Sequence, residues 1–327
     1  MKGISYSRYG GPGVLEYGEV RDPKVGPDAV LIEVRAAAVN PVDWKAREGH
    51  LDGMLEAVFP VVPGWDVSGV VVRPGVSVTE FAAGDEVIGY VREDFLSRGT
   101  FAAYVAAPVR TLARKPRNLS WEAAAGLPLA GLTAYQVLYK ALRVGRGDTV
   151  LVHAAAGGVG SIAVQLARHL GARVLGTASE RNHDYVRSLG GEPVAHGEGL
   201  AERLRGLAPE GLDAVFDTVG GTALKTSANL LAPEGRLASI ADGDVVGYGG
   251  RYCWVRPDAE DLLRLTELTE QGVVSVHVDA VFPLEQAAQA HRLSQEGRTR
   301  GKIVVTVAPQ APEETVAPQA PEEEDRS

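Results

Sequence analysis

The sequence predicts an α/β protein in which a β-rich domain precedes a doubly wound parallel-sheet domain. Three observations carry this. Short β-type runs broken by Gly and Pro fill residues 1–110, strand and helix patterns alternate from about 121 to 272, and a glycine-rich turn joins the first strand of that alternation to its first helix. At 327 residues the chain is long enough for two cores. A hydrophobic content of 45% fits an ordinary globular protein.

The β-type runs of the first part are 29–39, 67–72, 85–91 and 101–108, which together read as a partly closed sheet. The uncharged run Ala123–Tyr139 contains Gly126, Pro128 and Gly131, and reads as a buried helix with a break rather than a membrane span. The alternation then runs DTVLVHA, GSIAVQLARHLGA, RVLGTA, NHDYVRSLGG, EPVAH, LAERLRGLA, LDAVFDTVG, TALKTSANLLA and GRLASIA. Such a pattern implies right-handed crossovers onto a parallel sheet. Strand character returns in 273–282 and 301–307, and the second of these is expected to rejoin the first domain. The domain limits expected are 1–120, completed by about 273–307, and 121–272. Residues 308–327 form an acidic tail with a tandem nine-residue unit, TVAPQAPEE, at 306–323, and its composition reads as disordered.

Charge and cysteine content narrow the function. Of the formal −9, residues 309–327 carry −5, leaving −4 on the rest with no basic run. That argues against nucleic acid or an anionic membrane as partner. One cysteine, Cys253, rules out an internal disulfide. The N-terminal segment MKGISYSRYGG has no apolar stretch of the secretory type, so the cytoplasm is expected.

The turn LVHAAAGGVG (151–160) carries the strongest chemistry. Val159, Ile162, Ala163, Leu166, Ala167 and Leu170 fall on one helix face over 159–170. A strand therefore passes through Ala155, Ala156, Gly157 and Gly158 into a helix N-terminus, whose unpaired N–H groups and dipole attract phosphate. Gly157 admits a pyrophosphate and Gly160 lets helix and strand approach, although Ala155 replaces the first glycine of the dinucleotide fingerprint. A tight turn without ligand competes with this reading, and the repeated strand–helix units favour the nucleotide. The second strand ends at Ser179, Glu180, Arg181 and Asn182. A hydroxyl, a guanidinium and an amide suit a 2′-phosphate and hence NADPH; Glu180 turned inward would favour NAD.

The motifs AAAVNPVDWKAREG (36–49), VPGWDVSGVV (62–71), FAAGDEVIGY (81–90), AAGLPLAGLTAYQVL (124–138), VLVHAAAGGVGSIAVQLA (150–167), GLDAVFDTVGG (211–221) and RGKIVVTV (300–307) stand in order over all but the tail. In them the chain resembles the medium-chain dehydrogenase/reductase superfamily, in its zinc-free quinone oxidoreductase-like branch. The resemblance implies a GroES-like β-rich catalytic domain plus a Rossmann domain, with substrate between them. It also implies NADPH-dependent hydride transfer to a quinone or to a double bond conjugated to a carbonyl.

Zinc-dependent members have Cys where this chain has Asn40, and Gly-His-Glu where it has Gly64-Trp65-Asp66. The seven histidines are scattered with no i, i+4 pair, so no metal site is expected. By resemblance, Asn40 lies beside the nicotinamide, with Asp43, Trp44 and Lys45 on the following turn or helix lining the cleft. Lys45 or Tyr90 would donate to a developing enolate. Bland readings compete: Asn40-Pro41 is a turn signal, Asp43 a cap, Trp44 and Trp65 core aromatics, and Lys45 a solvated charge.

Resemblance further places Thr133 at the nicotinamide amide, with Ala156, Gly157, Gly158 and Val159 at the pyrophosphate. Ser179, Arg181 and Asn182 fall at the 2′-phosphate. His196 stands where the family has a phosphate-binding tyrosine, and Val219, Gly220, Ser239 and Ile240 border ribose and nicotinamide. The stretch GRYCWVRPD (250–258) reads as an edge strand followed by a helix capped by Asp258. In the family that strand, here 250–256, pairs with its twofold mate in a homodimer. Two other functions fit the same residues: a reductive cyclase that uses hydride addition to close a ring, and a non-catalytic NADPH-binding protein.

Overall fold

The computed structural model describes residues 1–308, and the expected disordered tail lies almost wholly outside the described residues. Two main sheets organise the chain. A six-stranded sheet runs, in spatial order, Glu192–Ala195, Arg173–Ala178, Thr149–Val152, Leu212–Asp217, Leu231–Ser239 and Arg251–Tyr252, with every neighbouring pair parallel. Chain order thus reverses between the first strand and the fourth, as in doubly wound dinucleotide folds. The reason lies in the residues. Val150 and Val152 pack into one apolar cluster and Leu151 into another, so both faces of the strand are covered and its sequence is apolar without alternation.

The second sheet has seven strands. Ala29–Val39 pairs with Asp66–Pro74 along one edge, and along the other with Tyr104–Pro108 and Lys302–Thr306. The strand at the end of the described chain therefore returns to the β-rich half, with Val39 opposite Ile303 and Ala36 opposite Thr306. Alternate side chains of Ala29–Val39, including Val30, Ile32 and Val34, enter that half's own core.

The run 123–139 forms two helices, Trp121–Ala125 and Pro128–Tyr135, followed by a π-helical turn at Gln136–Ala141. Ser120 caps the first through the Ala123 N–H. The glycine-loop helix spans Gly158–His169; Ile162, Ala163, Leu166 and Ala167 of the expected face are buried, Val159 and Leu170 only partly, and Ser161, Val164 and Gln165 outside that face are buried as well.

Several elements differ from the sequence reading. The helix at 222–232 ends at Ala228, because Leu231 joins the sheet opposite Leu212. The strand at 273–282 begins only at Val278. Its first part is tied instead to Gln165, whose side chain accepts from the Ser275 N–H at 2.8 Å and donates to the Ser275 carbonyl at 3.0 Å. The edge strand at 250–256 shortens to Arg251–Tyr252, although Asp258 caps the next helix through the Asp261 N–H as expected. At the Asn40 turn the cap is Asn40 itself; Pro41 takes the first helical position and Asp43 reaches back to the cap. Two small sheets escaped the sequence reading: the antiparallel pair Lys2–Ser5 with Glu16–Glu19, and the parallel pair Glu56–Val62 with Phe95–Arg98.

Candidate nucleotide cleft and active site

A cavity of about 1070 Å³ opens at the carboxyl ends of the parallel strands, at the point where strand order reverses. Ala156 and Gly157 line it from the first strand–helix turn, Ser179, Arg181 and Asn182 from the second, His196 from the third and Val219 from the fourth. A Cβ built on Gly157 would meet only the Ala154 carbonyl, at 3.3 Å, so this glycine faces open space. Ala155 in place of the first fingerprint glycine is accommodated from next door. Its methyl stands 2.7 Å from where a Cβ on Gly176 would lie, so the neighbouring strand supplies the missing room.

Gly158 has a different reason. A Cβ there would fall 2.8 Å from Cδ of Lys302, and one on Gly126 would fall 3.1 Å from Cγ of the same side chain. The lysine stem threads past both glycines, and Gly158 and Val159 do not line the cavity. The segment carrying Lys302 also closes over the glycine loop: Gly301 N–H donates to the Ala156 carbonyl at 2.8 Å.

At the far end, Asn182 donates to the Ser179 hydroxyl at 3.3 Å, and Arg181 donates to the Arg298 carbonyl at 2.9 Å. Glu180 stands outside the lining residues. Arg298 and Thr299, which sequence reading missed, form part of the facing wall. The Thr299 hydroxyl is buried without a hydrogen-bond partner, an unmet polar group of the kind a ligand satisfies. His153 floors the cavity between the Thr177 hydroxyl at 3.1 Å and the Ser227 hydroxyl at 2.6 Å, and burial pulls it down to about 4, so it is neutral.

Five further expected cofactor residues lie outside this cavity's lining. Gly220 and Ser239 are knotted together by Asp217, which accepts from Gly220 N–H at 2.9 Å and from the Ser239 hydroxyl at 2.5 Å. Thr133 and Ile240 open onto a separate cavity of about 430 Å³ beside Gln136, Tyr252, Cys253 and Trp254. The fifth is Asn40, only 2% exposed and lining none of these cavities.

Asn40 belongs to a buried polar cluster with Asp43, Asp66 and Lys302. Its Nδ2 donates to Asp66 Oδ2 at 2.9 Å, its backbone N–H donates to Asp43 at 2.7 Å, and its Oδ1 accepts from the Lys302 ammonium. Lys302 Nζ lies 3.7 Å from Asp66, whose other oxygen accepts from Leu129 N–H at 2.7 Å. Burial pushes Asp66 up to about 6, against the pull of Lys302, and Asp43 up to about 7. The same burial pulls the Lys302 ammonium down while both carboxylates resist. Among the described residues no group of three His, Cys, Asp or Glu side chains is arranged to hold a metal ion.

The other candidate catalytic side chains diverge. Trp44 and Lys45 are half-buried on the helix after Asn40, with Lys45 Nζ 5.7 Å above the Trp44 ring and the Trp44 indole N–H buried without a partner. Tyr90 is a core residue. Its ring packs 6.1 Å from Trp65, burial pushes its hydroxyl well up, and it lines none of these cavities.

Known proteins resemble this chain at both ends. Residues 26–117 match the model of the alcohol dehydrogenase GroES-like domain, and 189–305 that of the zinc-binding dehydrogenase family. An NADPH-dependent alkenal/one oxidoreductase, chloroplastic, of Arabidopsis thaliana is 37% identical over 318 residues, covering 94% of this chain and 80% of the relative. The solved quinone oxidoreductase from Coxiella burnetii superposes with a TM-score of 0.85 at 34% identity, covering 94% of this chain and 99% of that one. A mycobacterial structure complexed with NADPH superposes at 0.83 and 30% identity, covering 94% and 100%.

Proposed function

Because the chain belongs to the medium-chain dehydrogenase/reductase superfamily, in its quinone oxidoreductase-like branch, we propose that it is an NADPH-dependent reductase of electron-poor double bonds, acting on enones, enals or quinones. The observation that carries the cofactor is the cavity end built by Ser179, Arg181 and Asn182 with Glu180 outside it. A reduced nicotinamide dinucleotide, when bound, supplies a hydride to the β-carbon of the acceptor. The chain's own residues would hold and orient it. Gly157 leaves room for a diphosphate, the orphan Thr299 hydroxyl can bond to it, and Arg181 can face a 2′-phosphate.

The substrate end falls to the half-buried Trp44 and Lys45 and to the cavity at Thr133 and Ile240. Lys45 is the proposed donor to the enolate oxygen, and the α-carbon proton comes from water. Metal plays no part in this proposal, so chelation should leave turnover unchanged. The homodimer is proposed through 250–256, where Tyr252 and Trp254 are exposed at 41% and 37%, and sedimentation checks it. Among the described residues no helix is long and apolar enough to cross a membrane. A cytoplasmic site stays part of the proposal, although the Arabidopsis relative is named as chloroplastic.

NADPH oxidation against a panel of enones, enals and quinones tests the reading. With NADPH deuterated at the transferable C4 position, label should reach the β-carbon of an enone product. Label at the carbonyl carbon would mean 1,2-reduction and overturn it.

A further inference from the structure

Four polar contacts hold Asn40: its backbone N–H donates to Asp43, its Nδ2 to Asp66 and to the Ala38 carbonyl at 3.5 Å, and its Oδ1 accepts from Lys302. An ammonium can only donate and a carboxylate only accept. With Lys302 on one side and Asp66 on the other, the Asn40 carboxamide has a single allowed orientation, oxygen toward Lys302 and nitrogen toward Asp66. The same lysine belongs to the segment that closes over the glycine loop, through Gly301 N–H on Ala156 and a stem lying against Gly158. Asp66 in turn holds the start of helix Pro128–Tyr135, which carries Thr133. One buried lysine therefore touches the Asn40 turn and Asp66 through its ammonium, the helix start after the glycine loop through its stem and, by way of Asp66, the helix at the second cavity.

We propose that Lys302 is a positioning residue for hydride transfer: its ammonium, paired with Asp66, fixes Asn40, while its stem and the Gly301 N–H before it set the glycine loop against the catalytic half. This rests on the reductase reading above, with Asn40 beside the nicotinamide as the family resemblance implies. A buried ion pair is poor evidence for stability by itself, since well-packed neutral groups often serve the fold as well. Its worth here is geometric, because misplacing reacting groups by about 1 Å can cost about 100-fold in rate. Lys302 touches neither main cavity, so its action runs through Asn40 and the loop rather than through contact with substrate.

The test compares Lys302→Met, Lys302→Met/Asp66→Asn and Lys302→Arg in the full chain, reading melting temperature, NADPH affinity by fluorescence titration, and kcat and KM for an enone. Lys302→Met leaves Asp66 buried without its cation, and should lower both melting temperature and kcat, the latter at least tenfold. The double variant removes both charges, and should regain melting temperature while kcat stays at least tenfold down and enone KM moves less than threefold. A double variant that regains wild-type kcat, or a folded Lys302→Met within twofold of wild type, overturns the proposal by reducing the pair to a structural role. Should the neutral variants fail to fold, Lys302→Arg decides. Keeping charge and donors, it should hold kcat within threefold, and a tenfold loss at unchanged melting temperature overturns the proposal. Wild-type enzyme that reduces no acceptor refutes the reductase reading instead. In that case the nucleotide titration still reports on Lys302, with an at least threefold weaker Kd expected for Lys302→Met and an unchanged Kd overturning it.

Discussion

A Cβ placed on Gly160 would stand 2.2 Å from the carbonyl oxygen of Ala154. That oxygen belongs to a residue held at a φ of +47° and accepts the Gly157 N–H at 2.9 Å, so neither partner can yield without opening the loop. Gly160→Ala is expected to cost about 2 kcal/mol of stability, as overpacking against backbone does. It should also weaken NADPH binding severalfold. Thermal melts and nucleotide titration check both; a variant that melts and binds like wild type would contradict the close approach.

The wild-type protein should bind NADPH at least tenfold more tightly than NADH. Arg181 lines the cavity end and Glu180 does not. A hydrogen bond to a charged group contributes about 1.5–3 kcal/mol, so Arg181→Ala should remove most of the preference. Fluorescence titration at fixed salt measures it. Equal affinities in the wild type would point to Glu180 as a ribose ligand.

Arg47 is fully buried and serves the fold. It donates to the Gly10 carbonyl at 2.9 Å, to Glu48 at 2.6 Å and to Gln295 at 3.3 Å, and meets His291 Nδ1 at 3.0 Å. Arg47→Met is expected to cost about 3 kcal/mol, the scale of breaking a buried charged pair. Activity per folded molecule should persist. Chemical denaturation beside an active-fraction assay separates the two effects.

Buried titratable groups give the stability curve two opposing slopes. Burial and the neighbouring Arg47 pull His291 down to about 3, against about 6.5 in an unfolded chain. Below pH ~6.5 the unfolded chain takes up a proton that the folded one refuses, so this group destabilises the fold as pH falls. Relative to wild type, His291→Gln should gain about 2 kcal/mol on going from pH 8 to pH 5. Asp43 has the opposite sign. Its folded value of about 7 lies above the usual carboxylate value, so the folded state holds the extra proton and stability falls as pH rises toward 7. Asp43→Asn should therefore gain relative to wild type between pH 5 and pH 8. Melting curves across that range check both signs.

Legibility in the sequence followed the range of the interactions. The parallel sheet could be read because its central strands bury both faces, and Leu151 between Val150 and Val152 says so locally. The glycine loop could be read because its spacing is local. Lys302 could not: in GKIVVTV it looks like one polar residue at the start of an apolar strand, and its partner Asn40 stands 262 residues away. Asp66 was visible only as a departure from a zinc ligand, with no local sign that Lys302 would supply the nearby cation. The strand Glu56–Val62 was hidden for a similar reason, since its pairing to Phe95–Arg98 is long-range and its register shifts between Ala57 and Val62.

The return of Lys302–Thr306 to Ala29–Val39 has a consequence for how the protein is made. During synthesis the β-rich half emerges first, yet the Ala36–Val39 end of its long strand lacks its partner until residues 303–306 leave the ribosome. Until then four residues of strand edge lie open, while the parallel sheet, whose strands all fall between residues 149 and 252, has every strand it needs. The half that begins first is thus finished last, and the nascent chain carries an unpaired edge for most of its translation, the interval in which a chaperone would find it.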